Sequence, residues 1–376
     1  MIYKFIILII SFFIISCGAD TFQPSLICPD AKNENSTQAL STIFPRSRFV
    51  KLETTDNSLI GRQVGKIKKH KGKYYIATDF ARLVIFDVNG NFIQSIDKRG
   101  GGPGEYSILA DYDITSEDDI AILDAKKIII YDNKAQLKKT INLTITGFNV
   151  KVINDKYLIC ASGEEYSVYL VDKDGKILEK HFPTNDLPTL GKQVPFIAFG
   201  NDSILFQSEY SNTLLCFDVK NEKFTEIDLC CGNDYINKKE EEKLKKIHGM
   251  NYSDNFSGKN IIGGINSCKG YLVFSAGNRK AGLKIYLIDA VSREIKHVIT
   301  QTNIDDISCT GTLSLLNNMS KSDASDCFIT YMYMDKLING LKNSPNQDDP
   351  SSPMKIFEGI ANPEDENPVL IELGFE

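Results

Sequence analysis

One local pattern occurs five times along this chain. Each copy is a run of β-branched and aromatic residues, an aspartate, a short polar turn and a second β-rich run, which together predict an antiparallel hairpin. The aspartates of the five copies are Asp87, Asp132, Asp172, Asp218 and Asp289, which lie 45, 40, 46 and 71 residues apart. A repeat of roughly 40 to 45 residues is typical of one four-stranded blade of a β-propeller.

A further β-rich run precedes these hairpins. The runs begin at residues 74, 120, 156, 203 and 271. With a fourth strand in each linking segment, the hairpins become four-stranded antiparallel blades. Five blades are recognised directly, and the irregular region after Ile304 has room for one more. We therefore predict an all-β fold, a six-bladed β-propeller, with five or seven blades as the alternatives if the last region is misread.

The two ends of the chain carry the strands that would close such a ring. Pairing the termini removes exposed sheet edges. FVKLET, residues 49–54, is the predicted N-terminal partner. CFITYMYMDKLING, residues 327–340, and NPVLIEL, residues 367–373, are β-compatible and are the predicted C-terminal partners. The ring is therefore expected to be closed by N- and C-terminal strands.

The longest spacing between repeats contains an insertion, residues 232–260. Within it, NKKEEEKLKKIH has good helix formers, Glu and Lys spaced at three or four, and few apolar positions. This composition predicts a short, solvated helix between blades 4 and 5. It either caps one face of the ring or is a plain surface helix.

The N-terminus has the pattern of an export signal. An apolar run from Phe5 to Ile15 is interrupted only by Ser11 and is shorter than the about 20 residues that a membrane span needs. It ends in Ile-Ile-Ser before Cys17, which resembles the lipobox of bacterial lipoproteins. We predict a signal peptide at 1–16, a lipidated tether at 17–40 and the propeller at 41–376. Cys17 would attach the protein to the outer membrane, on either side of it, without spanning the bilayer.

Composition and residue spacing argue against nucleic-acid binding, a zinc site and a disulfide framework. The formal net charge is −6, whereas nucleic-acid binding needs a concentrated basic face. The nine cysteines include no Cys-x-x-Cys, and the four histidines are scattered singly. Neither a zinc site nor a small disulfide framework is expected.

Four segments together resemble a known family. LETTDNSLIG (52–61), IFDVNGNFI (85–93), GGGPGEY (100–106) and NPVLIEL (367–373) are similar to stretches of the six-bladed β-propeller lipoproteins of Bacteroidetes, which are related in pattern to NHL-repeat propellers. The resemblance implies six blades and a location in the cell envelope. It implies no reaction, because a propeller hosts unrelated functions.

The glycine-rich stretch KRGGGPGEY, residues 98–106, invites a phosphate-loop interpretation. A P-loop needs Lys-Ser or Lys-Thr after its last glycine, and a dinucleotide site needs a helix to follow, but here EYSILADYDI follows. The stretch instead predicts the connector between the first and second blades, where glycine permits positive φ. Glu105 and Tyr106, just after the last glycine, are predicted to lie near the axis of the ring.

Acidic residues supply the remaining candidates. The five repeated aspartates each follow a strand, where a carboxylate is expected to accept a hydrogen bond from a backbone amide two residues on. The predicted ligand-binding residues are Glu105, Tyr106, Asp111, Asp113 and Glu209.

These features predict a ligand-binding or protein-interaction module of the cell envelope. We expect a monomer that binds a glycan, a peptide or an envelope protein, without nucleic acid. The alternative is a metal-dependent hydrolase or lyase with carboxylates at the axial opening of the ring. No catalytic residue is assigned and no cofactor is expected, although calcium is the cation that such carboxylates would hold.

Overall fold

The structure is a computed structural model of the 376-residue chain. It describes residues 37–376 apart from residues 62, 162, 184–195, 200–201, 208–212, 229–234, 238, 241–258, 279–281, 290–291, 293, 317–318, 320–321, 325 and 345–351. Cys17 and Glu209 therefore lie outside the described residues, as does most of the insertion at 232–260. At the start of its predicted helix, Asn237 and Glu240 bond reciprocally through side chain and backbone at 2.9 and 3.0 Å, as in a capping box.

Five consecutive groups of four strands form four-stranded antiparallel sheets. After β1 (Arg46–Lys51), blade 1 contains β2 (Val64–His70), β3 (Lys73–Thr78), β4 (Arg82–Asp87) and β5 (Phe92–Ile96). Blade 2 contains β6 (Asp111–Ile114), β7 (Ile120–Asp124), β8 (Lys127–Tyr131) and β9 (Leu137–Asn142). Blade 3 contains β10 (Gly147–Ile153), β11 (Lys156–Ala161), β12 (Tyr166–Val171) and β13 (Ile177–Pro183). Blade 4 contains β14 (Phe196–Phe199), β15 (Ser203–Gln207), β16 (Thr213–Asp218) and β17 (Lys223–Asp228). Blade 5 contains β18 (Ile261–Cys268), β19 (Tyr271–Asn278), β20 (Gly282–Asp289) and β21 (Ile295–Ile299).

The sixth blade combines both ends of the chain. Its hydrogen-bonded sheet contains β23 (Phe328–Met332), β24 (Val369–Gly374) and, outermost, β1. We assign β22 (Ser322–Asp323), which precedes β23 and contacts it, to the same blade. β1 pairs antiparallel with β24 along its whole length, from Arg46 opposite Gly374 to Lys51 opposite Val369. The six blades and the closure by terminal strands confirm the predicted architecture. One detail differs, because the two residues of β22 pair in parallel with β2 of blade 1.

The predicted β-compatibility of residues 327–340 is wrong for the second half of that segment. Apart from the start of a helix at 239–240, the described residues form the helices α1 (Leu40–Ile43), α2 (Thr312–Leu316) and α3 (Met334–Leu341). α3 buries Met334, Leu337, Ile338 and Leu341, which follow an i, i+3, i+4, i+7 spacing. The β-favouring composition of the segment concealed this helical period. The 3₁₀ helices Pro353–Phe357 and Pro363–Asp365 continue the same connection from β23 to β24.

The hydrophobic core is divided among the seams between neighbouring blades. Among the described residues, six buried clusters each join two adjacent blades. The seam of blades 1 and 2, for example, packs Tyr75 and Leu83 against Ile122 and Ile129. Middle strands such as β7 are buried at every residue, because both faces of their sheet are covered by neighbouring blades.

The described chain begins packed against blade 5. Leu40 is fully buried, and its N–H donates to Ile304 O at 2.9 Å. The Ile304 N–H in turn donates to Gln38 O at 3.3 Å. Residues 38–40, the end of the segment predicted as tether, therefore pack on the folded body. No helix among the described residues is long and apolar enough to span a membrane.

The repeated aspartates behave as the sequence predicts. Asp87 Oδ1 accepts from the backbone N–H two residues on at 2.8 Å, and Asp132, Asp172 and Asp218 do the same at 2.9 Å. Asp289 accepts from an N–H three residues on, at 2.7 Å. Hydrogen bonds to the carboxylates lower the pKa of Asp87, Asp132, Asp172 and Asp218 from its ordinary value. The prediction of a structural turn role is confirmed.

Candidate functional site

The glycine-rich stretch connects β5, the outermost strand of blade 1, to β6, the innermost strand of blade 2. Gly102 N donates to Glu105 Oε2 at 2.7 Å, and Gly100 N donates to Tyr106 O at 2.9 Å. Gly104 has φ of +73°, which favours glycine. The predicted role as a connector between blades is confirmed.

Tyr106 lies inside the protein. Its side chain is fully buried in the seam of blades 1 and 2, and its hydroxyl donates to Ala81 O at 2.6 Å. Burial raises the pKa of Tyr106 to about 12. The backbone oxygen of Glu105 accepts from Lys127 Nζ at 2.8 Å. Both residues therefore hold the connector against its two blades.

Asp111 and Asp113 occupy alternate positions of β6 and are almost completely buried. Asp111 Oδ2 accepts from Val150 N at 2.9 Å, and Asp113 Oδ2 accepts from Val152 N at 2.8 Å. Val150 and Val152 lie on β10, the innermost strand of blade 3, whose inner edge has no neighbouring strand in its own sheet. The two carboxylates therefore satisfy backbone donors on that edge and tie blade 2 to blade 3.

Buried lysines meet these carboxylates at the axis. Lys68 Nζ lies 2.9 Å from Asp113 Oδ1 and 2.8 Å from Asp323 Oδ2. Lys151 Nζ lies 3.1 Å from the same Asp323 oxygen and 4.0 Å from Asp113 Oδ2. A further pair on the same strands joins Lys66 Nζ to an Asp111 oxygen at 3.3 Å. We call these side chains the axial cluster: Lys66, Lys68, Asp111, Asp113, Lys151 and Asp323.

Opposite charges balance within the axial cluster. Burial disfavours the ionised form of Asp113, but Lys151 and Lys68 outweigh it and hold its pKa at about 2. The Asp323 side chain is 13% exposed, and the same lysines hold its pKa well below the ordinary value. Burial likewise disfavours the charged form of Lys68, but Asp113 and Asp323 raise its pKa. Asp113 and Asp323 thus form ion pairs with the lysines, whereas burial raises the pKa of Asp111.

The cluster differs from the metal site of the alternative function. Within the described ranges, no group of three or more His, Cys, Asp or Glu side chains is placed to hold a metal ion. Asp323 and Lys151 also belong to blades 6 and 3, which lie opposite each other in a six-bladed ring. Their ion pair therefore crosses the axis.

Sequence reasoning selected Asp111 and Asp113 as ligand-binding candidates but missed the lysines and Asp323. A signal was present in the innermost strands. VGKIKKH and GFNVKVI carry lysines among apolar residues, just as DYDI carries aspartates. Ionisable residues at alternate positions of such buried strands indicate partners of opposite charge on neighbouring blades.

At one end of the ring, the connectors that lead into each blade lie against the turns between the second and third strands of that blade. Ile108 N donates to Asp124 Oδ1 at 3.2 Å, and Thr146 N donates to Glu164 Oε1 at 2.8 Å. We call this end of blades 1 to 3 the connector face. It consists of the connectors 52–61, 97–110 and 143–146 and the turns 79–81, 125–126 and 163–165.

Besides Leu59, which is 46% exposed in connector 52–61, the connector face and the adjoining start of β10 expose three large apolar side chains on blades 1 to 3. Phe80 is 54% exposed, Ile108 is 40% exposed and Phe148 is 38% exposed. We call these three residues the apolar arc. Isolated exposed apolar residues are common on soluble proteins, whereas a contiguous set is typical of an interaction site.

Hydrogen bonds connect the backbone segments that carry the apolar arc. Leu109 N, next to Ile108, donates to Phe80 O at 2.9 Å. Gly147 N donates to Ala125 O at 2.8 Å, in the turn whose aspartate accepts from Ile108 N. The members of the arc therefore project from adjoining segments of blades 1, 2 and 3.

Two members of the arc have unusual backbone positions. Phe80 has φ of +53°, a left-handed conformation that costs a residue with a Cβ roughly 1 to 2 kcal/mol. Phe148 occupies a β-bulge between Gly147 and Asn149, where the register with β11 shifts. Bulges and left-handed residues frequently aim side chains at functional sites. The exposed Phe80 ring thus projects from a left-handed residue, and the exposed Phe148 ring projects from a β-bulge.

The closed ring of sheets around an axis defines the class as a β-propeller. Within that class, the chain belongs to the family described as "Domain of unknown function (DUF4934)", whose sequence model matches residues 26–373. No curated protein matches the sequence.

Several solved structures are similar to this chain to different degrees. A Bacteroides fragilis protein described as "Putative exported protein" is 16% identical with a TM-score of 0.69, and the match covers 88% of this chain and 95% of that one. A Bacteroides caccae protein of unknown function is 9% identical with a TM-score of 0.41, covering 63% and 81%. BamB from Moraxella catarrhalis is 11% identical with a TM-score of 0.41, covering 68% and 69%. At 16% identity, the first of these similarities shows the propeller fold alone.

Proposed function

We propose that this chain is a lipid-anchored β-propeller of the bacterial outer membrane that binds an envelope protein or peptide through its connector face. The apolar arc carries the proposal. Its three side chains remain exposed on adjoining segments, and at Phe80 the backbone is strained to present the ring. Apolar and aromatic contacts of this kind are enriched in protein-binding sites.

The acidic residues near the axis have a supporting role in this proposal. Asp111 and Asp113 are bonded to lysines and to backbone N–H groups of blade 3. Tyr106 is buried in a seam. These residues hold blades 1 to 3 in the relative positions that bring the apolar arc together. The partner contacts the connector face rather than the buried carboxylates.

Photo-crosslinking in cells tests the binding face. A photoreactive amino acid at position 148 is expected to give a discrete protein adduct, whereas the same probe at Ile93, which is 42% exposed on the outer strand of blade 1, gives none. Adding Phe80→Gly should abolish the adduct formed from position 148. Equal adducts from positions 148 and 93 would contradict the proposal.

The glycine substitution has a matched control. Ala125 occupies the equivalent turn of blade 2 with φ of +45°, so Ala125→Gly relieves a similar backbone strain without removing an aromatic ring. Both variants should be at least as stable as the unmodified protein, and only Phe80→Gly should lose the partner. Loss of the adduct in both variants would assign the effect to turn geometry.

The anchor is tested separately. Cys17→Ala is expected to move the protein from the membrane fraction to a soluble fraction, because one cysteine carries all the predicted lipid. Cys28→Ala is the control and should leave the protein in the membrane fraction. Retention of the Cys17→Ala protein in membranes would refute lipid anchoring while leaving the binding face untouched.

A further inference from the structure

We propose that Asp323 is an inner latch, which locks the sixth blade to the first and third blades at the axis. The ring then has two closures. The first is the pairing of β1 with β24, made by the two ends of the chain. The second is the set of ion pairs that Asp323 makes in the axial cluster.

The strand that carries Asp323 is weakly held by its backbone. Among the described residues, β22 has two residues, which pair with β2 as Ile67 opposite Ser322 and Lys68 opposite Asp323. The three-stranded sheet of blade 6 contains β23, β24 and β1 but not β22. Two backbone pairs fix a strand poorly, because short isolated ladders are marginally stable in water. Side-chain contacts therefore add to the attachment of this short strand.

Asp323 supplies these contacts in two directions. Its Oδ2 atom is 2.8 Å from Lys68 Nζ on the neighbouring strand β2. The same oxygen is 3.1 Å from Lys151 Nζ on β10, across the axis. Asp113 faces both lysines and completes the network. One carboxylate thus links blade 6 to an adjacent blade and to the opposite blade.

Burial makes the latch sensitive to loss of one partner. The exposed fractions of the three side chains are 10% for Lys68, 9% for Lys151 and 13% for Asp323. Removing the carboxylate charge leaves two buried ammonium groups with Asp113 as their nearest remaining carboxylate, and an incompletely compensated buried charge is strongly destabilising. The destabilisation is expected first at the inner strands. The β1–β24 pairing at the outer side of blade 6 does not contain these groups.

Hydrogen exchange measured by mass spectrometry on the protein without its signal peptide tests the latch. Asp323→Asn should accelerate exchange about 100-fold in β2 and β10, the two strands that supply the lysines. Exchange in β1 and β24 should stay within about threefold of the unmodified protein. The control is Asp326→Asn, which removes a 2.8 Å ion pair to Lys69 from a side chain that is 59% exposed. That variant should leave exchange unchanged in all four strands.

A second variant keeps the test decisive if Asp323→Asn folds poorly. Lys151→Met removes one of the two uncompensated charges, so Asp323→Asn combined with Lys151→Met should recover most of the exchange protection. The single effects should be non-additive by at least about fivefold, as expected for groups in one network. Equal acceleration in β1, β24 and β2, or strictly additive effects, would show that Asp323 contributes only to global stability and would overturn the latch. A failure of the connector-face crosslink would leave this result unaffected.

Discussion

Replacing Asn367 with alanine should destabilise the joint at which the last blade meets the first. Asn367 is fully buried just before β24. Its Oδ1 accepts from Ile60 N at 2.7 Å. Its Nδ2 donates to Glu53 O at 2.8 Å and to Ser58 O at 3.0 Å. The side chain thus fixes the connector that leads from β1 into blade 1.

The size of the effect follows from these three hydrogen bonds. Each one contributes about 1 kcal/mol net, and leaving buried backbone groups without partners adds to the loss, so Asn367→Ala should cost about 3 to 4 kcal/mol. For a folded body of this size, the unfolding entropy is roughly 0.7 kcal/mol per degree, and Tm should fall by about 5 °C. Differential scanning calorimetry and urea unfolding measure both quantities.

A second asparagine provides the comparison. Asn343 is exposed, and its Nδ2 donates to Asn339 O at 2.9 Å within the last turns of α3. Asn343→Ala should change Tm by less than about 1 °C, because exposed groups regain water as a partner. If Asn367→Ala were equally mild, the connector would be held by its own turn rather than by Asn367, and the reasoning about this joint would fail.

Two further predictions concern residues identified from sequence. Tyr106→Phe removes the buried bond to Ala81 O and should lower the free energy of unfolding by about 1 kcal/mol, seen as a lower urea midpoint; an unchanged midpoint would contradict its role in the seam. The lowered pKa values of Asp87, Asp132 and Asp172 mean that their contribution is fully present above the ordinary pKa of 3.8 and is lost as the pH falls through the lowered values. A variant with all three of these aspartates replaced by asparagine should therefore lose less stability than the unmodified protein when the pH is lowered from about 5 to about 2. The free energy of unfolding, measured by urea unfolding at each pH, tests this. An equal loss of stability in the two proteins would refute the account.

Much of the fold could be predicted because its determinants are local. A hairpin depends on two neighbouring β-rich runs, and a turn aspartate bonds to an amide two residues away, as at Asp87. The connector role of residues 98–106 follows from its glycines and its position between two repeats. Each of these features depends on a few adjacent residues, so it can be recognised from a short stretch of sequence. The same applies to FVKLET, whose β-rich pattern and position identified the closing strand.

Other predictions failed or fell short because their determinants are distant in sequence. The ligand-binding prediction for Glu105 and Tyr106 could not foresee that the Tyr106 ring is fully buried in the seam of blades 1 and 2. The segment after Met332 forms a helix because its apolar side chains find a surface beside blades 5 and 6. Its i, i+3, i+4, i+7 apolar spacing is a local helix signal, but the β-favouring residues before it masked that signal.

The sequence by itself determined the period of the repeat, the hairpins, the turn aspartates and the terminal strands that close the ring. Only the tertiary structure decided which charges meet. Asp323 lies 172 residues from Lys151 and 255 residues from Lys68, yet one of its oxygen atoms contacts both lysines. Closing six blades around an axis brings their innermost strands together. Ion pairs there depend on the number and register of the blades rather than on any neighbour in sequence.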